Sequence, residues 1–257
     1  MREKEKKEKK KREGSSLREN IEMILEVLII VFFINTFLVQ TFGVPTPSME
    51  DNMLIGDHLF VDKVVYSQSA GWLEDLILPK TELRRGMIVV FKSPPEIQAR
   101  NFDQLIYVKR VVGLPGDHLK MVDNQIFING EAIEEPYLNL KADQRVPTDF
   151  PPDSQERWWH EFPVKFRESV RQTDAGLVFV VPEKHYFCMG DNRNLSADSR
   201  IWGPVHIDHI IGKPWRIYWS YETTTDAYLN RSFFSRIKDT VINFFSKTRW
   251  NRTLKKY

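Results

Sequence analysis

Hydrophobic and polar positions divide the chain into four stretches. Residues 1–20 hold nine Lys/Arg and five Glu and have no apolar face, so they predict a solvated charged tail. Residues 21–40, IEMILEVLIIVFFINTFLVQ, are a nearly continuous apolar run. Twenty residues of helix reach about 30 Å, the hydrocarbon thickness of a bilayer, which predicts a single transmembrane helix. From residue 41 the pattern shifts to short period-two runs punctuated by Gly, Pro and Asn. These predict strands at 59–66, 87–91, 105–112, 118–122, 125–129, 177–181, 185–189 and 215–219. Asp123-Asn124, Asn129-Gly130 and Pro182-Glu183-Lys184 fall between strands as turns. Near the C-terminus, Phe233, Ile237, Val241, Phe244 and Phe245 recur at helical spacing among Lys and Arg.

The fold class that follows is mainly β. An N-terminal transmembrane helix precedes an antiparallel β domain over residues 41–220, with an insertion at about 134–176 rich in Pro, charge and aromatic residues, read as a cap. Residues 221–257 form a basic amphipathic tail, which either packs on the domain or lies on anionic lipid.

Charge orients this arrangement. Basic residues crowd the N-terminal side of the apolar run and none occurs between it and Lys63. The positive-inside rule therefore places residues 1–20 in the cytoplasm and the β domain outside, at the cell membrane. Glu26 and Asn35 interrupt the run, so a buried core helix is the competing reading. A cleaved signal peptide is disfavoured, because no Ala-x-Ala site follows. The net charge of +2 gives no footing for nucleic-acid binding. A single cysteine, Cys188, excludes an intrachain disulfide and a thiolate zinc cluster. It reads as a small core residue of a strand, the alternative being a thiol nucleophile.

Candidate chemistry lies in three places. Just past the apolar run, Thr46-Pro47-Ser48 presents a hydroxyl whose backbone is restricted by proline, making Ser48 a candidate nucleophile at the membrane surface. In the run 105–112, period two puts Tyr107 and Lys109 on one face and Arg110 on the other. Burial can lower a lysine's pKa into a useful range, whereas arginine stays charged, so Lys109 is the candidate base. That requires a fall of roughly 2 to 3 units from about 10.4, or about 3 to 4 kcal/mol against the cation. The third place is the polar loop Gly190-Asp191-Asn192-Arg193-Asn194-Leu195-Ser196-Ala197-Asp198-Ser199-Arg200. A serine hydroxyl there can orient a neutral lysine amine without restoring its charge, and Asp198 with Arg200 can pair to stiffen the loop. No His triad context, GxSxG or HExxH is present, so the scheme needs no metal or cofactor.

An apolar helix followed in order by PTPSM, GDHLFVDKVVY, RRGMIVVFKSP, YVKRVVGLPGD and GDNRNLSADSR resembles the sequence boxes of the bacterial type I signal peptidase (leader peptidase) family over roughly residues 21–219. The resemblance implies a Ser/Lys-dyad serine endopeptidase that removes signal peptides after small-x-small sites of exported preproteins. By it, Ser48 is the nucleophile, Lys109 the general base and Ser196 the hydroxyl positioning the amine. Thr46 joins the Ser48 N–H in the oxyanion hole, Tyr107 packs near the lysine, and Asp198 with Arg200 is a structural ion pair. Three departures stand out: Pro47 where Gly is common, Glu50-Asp51-Asn52-Met53-Leu54 without the usual Pro-Thr, and Asn194-Leu195 in place of Asp-Asn. None removes a reacting group. A non-enzymatic membrane-tethered binding protein and a Cys188 transpeptidase are the rival readings.

Overall fold

The computed structural model describes residues 2–34, 38–63, 81–94, 106–140, 148–174 and 176–257, with side chains from residue 18 onward. It divides into two compact units, residues 1–40 and 41–257.

The first unit is a helix, Arg2–Phe33. The charged stretch expected as a tail continues this helix back to Arg2, because Lys, Glu and Arg are good helix formers. Further along, Arg18 Nε donates to Glu22 Oε1 at 2.8 Å, an i,i+4 pair. The expected span at 21–40 is shorter than its sequence pattern. The helix ends at Phe33, residues 35–37 lie outside the described set, and Val39 begins a strand. Among the described residues, no helix is long and apolar enough to cross a membrane. The apolar side chains from Ile21 to Ile34 are nevertheless exposed.

The second unit contains two antiparallel sheets. The larger uses β1 (Val39–Gly43), β2 (Asp57–Asp62), β3 (Ile88–Lys92), β4 (Ile106–Gly113), β10 (His185–Met189), β11 (Val205–His206) and β12 (Ile210–Ser220). Its strand order is β1-β2-β12-β3-β4-β10-β11. The smaller runs β7-β6-β5-β9-β8, from β5 (His118–Val122), β6 (Gln125–Ile128), β7 (Glu131–Ala132), β8 (Val170–Thr173) and β9 (Gly176–Val180). All eight expected strands have counterparts here, shifted by a few residues; positions 64–66 and 105 of two of them lie outside the described residues. Strand β12 is longer than expected because register shifts let it bend and pair with both β2 and β3. The β5–β6 hairpin turns at Asp123 and Asn124, with φ of 49° and 65°, the left-handed pair that matches strand twist.

The insertion, expected as a cap, contributes to the smaller sheet and its core. Its described part supplies β8 to the smaller sheet and buries Phe150, Phe162 and Phe166 in the core beneath it. Three phenylalanines spaced among prolines and charges carry no periodicity, yet burying such rings is among the largest apolar gains a side chain offers. The C-terminal segment forms a helix, Phe233–Lys247, as its spacing predicts. The chain then returns to β12, where Leu254 N–H donates to Ile217 O at 2.7 Å.

Candidate active site

Proline dictates the geometry around Ser48. Thr46 is extended, with φ −129° and ψ 155°, as a residue before proline should be. Pro47 opens a one-turn 3-10 helix, Pro47–Met49, a position where a missing N–H costs nothing. Glu50 N–H closes the turn on Pro47 O at 2.9 Å. The expected rigid arm therefore ends in a turn that turns Ser48 and Met49 into the core. The polar loop clasps it: Asn192 N–H donates to Ser48 O at 3.1 Å and Asn192 Nδ2 to Pro47 O at 3.3 Å.

Lys109 arrives from the other side. Strand β4 lies between β3 and β10, and Lys109 is opposite Val89. Alternation puts it on the buried face with Tyr107 and Val111. Its Nζ donates to Ser48 Oγ at 2.5 Å across 61 positions of chain. Burial lowers the Lys109 pKa to about 8 from 10.5, opposed by the carboxylates of Asp198 and Asp191. A side chain 2% exposed among Tyr107, Val111 and Cys188 has little water to stabilise an ammonium. The Tyr107 ring centroid is 6.0 Å from Nζ, and the ring packs against Phe91 and Trp202. Thr46 Oγ1 is 3.4 Å from Ser48 Oγ and makes no capping bond to its own helix.

Within the loop, Arg200 Nε and Nη2 donate to the two Asp198 oxygens, each at 2.8 Å, and neither side chain has any exposed surface. Burial works to raise the Asp198 pKa, but the Arg200 guanidinium overrides it and keeps the carboxylate ionised. Arg200 Nη2 also donates to Arg193 O at 2.7 Å, so the pair ties the loop together. Ser196 is fully buried, and among the described residues its Oγ has no hydrogen-bond partner. It packs on Gly190, where an added Cβ would stand 2.2 Å from Ser196 Oγ and 2.5 Å from Ser48 O. Only glycine lets the loop backbone approach the Ser48 turn this closely.

Sequence reasoning overlooked a second ion pair. Arg110 Nε and Nη2 donate to Asp191 Oδ1 and Oδ2 at 2.8 and 2.7 Å, and Asn52 Nδ2 donates to Asp191 Oδ2 at 2.7 Å. Arg110 stays charged and cannot be a base. It instead locks β4, the loop and the segment behind Ser48 into one unit, with its guanidinium 3.8 Å from the centre of the Tyr137 ring. The available signal was an arginine on an apolar strand beside a loop beginning Gly-Asp. Cys188 is buried in β10, and burial with the nearby Asp198 carboxylate pushes its thiol pKa strongly up. Among the described residues, no group of three or more His, Cys, Asp or Glu could hold a metal ion.

The arrangement joins a hydroxyl to an amine whose ammonium is disfavoured, braced by two buried ion pairs. Such a pair can deprotonate the hydroxyl for attack on a carbonyl. The family described as "Signal peptidase, peptidase S26" matches residues 17–219. The chain is 30% identical to signal peptidase I of Pseudomonas fluorescens over 222 residues, covering 82% of this chain and 75% of that one. Against signal peptidase I of Rickettsia bellii strain OSU 85-389 it is 32% identical over 216 residues, covering 77% and 72%. A crystal structure of a signal peptidase I from Enterococcus faecalis V583 is 30% identical, covering 52% of this chain and 97% of that one at a TM-score of 0.35.

Proposed function

This chain belongs to the signal peptidase family, peptidase S26, and is a peptidase; from that premise we propose that it is a membrane-bound serine endopeptidase cleaving signal peptides with a Ser48/Lys109 dyad. The 2.5 Å contact between Lys109 Nζ and Ser48 Oγ, with both residues buried, carries the reading. The neutral amine takes the Ser48 proton as Oγ attacks the scissile carbonyl, giving a tetrahedral oxyanion and then an acyl-enzyme. The protonated amine returns its proton to the leaving nitrogen. A water deprotonated by Lys109 then hydrolyses the ester. Thr46 Oγ1 and the Ser48 N–H are the oxyanion donors in this scheme, and Pro47, lacking an N–H, takes nothing from it. Ser196 positions the amine, Tyr107 walls off water, and Asp198 with Arg200 holds the loop. A shift of the unpartnered Ser196 hydroxyl toward Nζ would satisfy both groups.

The substrate is an extended small-x-small segment of a preprotein, added as a strand to a free sheet edge. Membrane attachment through the helix before residue 40, with the N-terminus cytoplasmic and the β domain outside, is supported by its exposed apolar side chains and the basic run before them. The Cys188 alternative is disfavoured by a buried, protonated thiol. The test is cleavage of a preprotein in detergent by wild type, Ser48→Ala, Lys109→Ala and Cys188→Ala. Only the two dyad variants should be inactive. Activity surviving without Ser48 would overturn the reading, and a folded wild type inactive on several preproteins would favour a binding protein.

A further inference from the structure

The helix Phe233–Lys247 lies beyond the stretch that matches the family, and it leaves many large apolar side chains exposed to water. Its side toward the domain is mixed, with Phe244 stacked on Trp219 at 6.2 Å between centroids and Asp239 holding the polar contacts. Asp239 accepts from Tyr221 Oη at 3.0 Å, Asn243 Nδ2 at 2.8 Å and Lys247 Nζ at 3.0 Å. Its outer side is apolar. Phe234 is 81% exposed, Val241 73%, Ile242 68% and Phe245 80%. Positions 234 and 241 are seven residues apart on the outside, and Phe245 extends the exposed apolar side beyond a kink at Asn243, where φ is −107° and ψ 16°. Trp250, beyond the helix end, is exposed and stacks on Phe245 with centroids 6.3 Å apart. A surface helix in water normally turns such side chains inward, so this outer face is built for an apolar medium.

Charge identifies the medium. From Phe233 to Tyr257 the sequence has seven Lys/Arg and one acid. The acid, Asp239, is the residue turned inward and paired. What remains exposed is cationic, with Lys238 beside the apolar stripe and Lys255 and Lys256 after it. A second copy of the chain would bring like charges together, whereas anionic headgroups would neutralise them. Aromatic rings with flanking cations are the composition of a helix lying at the headgroup boundary.

We infer that helix Phe233–Lys247 and Trp250 form a second membrane contact, seated in the interface of an anionic bilayer with the Phe234–Val241–Phe245 stripe facing the acyl chains. The contact is separate from the dyad, and its test does not read peptidase activity. Cys188 is fully buried, so a thiol nitroxide attaches selectively to an introduced cysteine. The full chain would be labelled at Phe234→Cys, at Phe245→Cys or, as an exposed control on β7, at Glu131→Cys, and reconstituted into phosphatidylcholine vesicles with and without phosphatidylglycerol. The ratio of oxygen to nickel-chelate collisions should be several-fold higher at 234 and 245 than at 131 with phosphatidylglycerol, and should fall in its absence or with Lys238→Glu. Wild-type protein in brominated phosphatidylglycerol should lose part of its tryptophan quenching when Trp250 is replaced by Phe. Nickel access at 245 equal to that at 131 in both lipids overturns the inference. Dipolar broadening between labelled copies also overturns it, assigning the face to self-association.

Discussion

Beneath the smaller sheet, Phe150, Phe162, Phe179 and Phe187 meet with ring centroids 4.9 to 5.8 Å apart, and every buried member of that cluster is apolar. At the larger sheet, Lys109, Asp191, Asp198 and Arg200 are just as thoroughly buried, within one stretch of β4, β10 and the loop that follows. The first region removes apolar area from water and obtains stability from it. The second removes charges from water, which costs free energy unless each charge finds a partner. Asp198 and Asp191 have partners in Arg200 and Arg110. Lys109 has a hydroxyl instead, and its burial, which the carboxylates of Asp198 and Asp191 only partly oppose, is what lowers its pKa. The two regions are buried alike but differ in what burial does, and Lys109 is the buried amine whose hydrogen-bond contact is a hydroxyl, not a carboxylate.

This contrast can be broken by experiment. Lys109→Met should reduce preprotein cleavage by about 10⁴-fold or more, since the members of a catalytic unit fail together. Phe179→Ala, which opens a cavity at the centre of the aromatic cluster, should cost about 3 to 5 kcal/mol of stability in denaturant unfolding while leaving the cleavage pH profile of the folded enzyme unchanged. Asp198→Asn should cost a similar amount, roughly 3 to 5 kcal/mol, by stranding the Arg200 guanidinium.

The pH dependence of both cleavage and stability should follow Lys109. Cleavage should rise with pH and be half-maximal near 8 if, as proposed, the base is the neutral amine of Lys109. In Asp198→Asn the rise should move to lower pH, since that carboxylate supports the ammonium. Stability follows the same group. Below about 8 both folded and unfolded chains carry the proton, and the folded state bears the full cost of a buried ammonium. Between 8 and 10.5 the unfolded chain binds more protons, so stability increases with pH. Lys109→Met should therefore be more stable than wild type by roughly 3 kcal/mol at neutral pH, the gap closing by the pKa of free lysine. A gap that does not change with pH would mean that Lys109 is not the strained group. The smallest effect belongs to Ser196→Ala. Removing an unpartnered buried hydroxyl should raise stability by about 1 kcal/mol in thermal unfolding, while cleavage drops about tenfold if the hydroxyl engages Nζ during reaction.

Local pattern determined much of this protein. Alternation placed the strands and put Tyr107 and Lys109 on one buried face, the turns at Asp123-Asn124 followed from residues that tolerate positive φ, and proline chemistry marked Ser48 as a fixed hydroxyl. These are readable because period, backbone preference and turn chemistry act over a few residues. What tertiary structure alone decided is which groups meet. The contact of Ser48 with Lys109, the pairing of Arg110 with Asp191 and Asn52, the inward Phe150 and Phe162, and the outward apolar face of the C-terminal helix all join or orient distant segments. A residue's own neighbours in sequence state how hydrophobic or charged it is. Whether its charge is paired, its hydroxyl deprotonated or its ring buried depends on what packing places opposite it, because desolvation and Coulomb energies are set by distance in space.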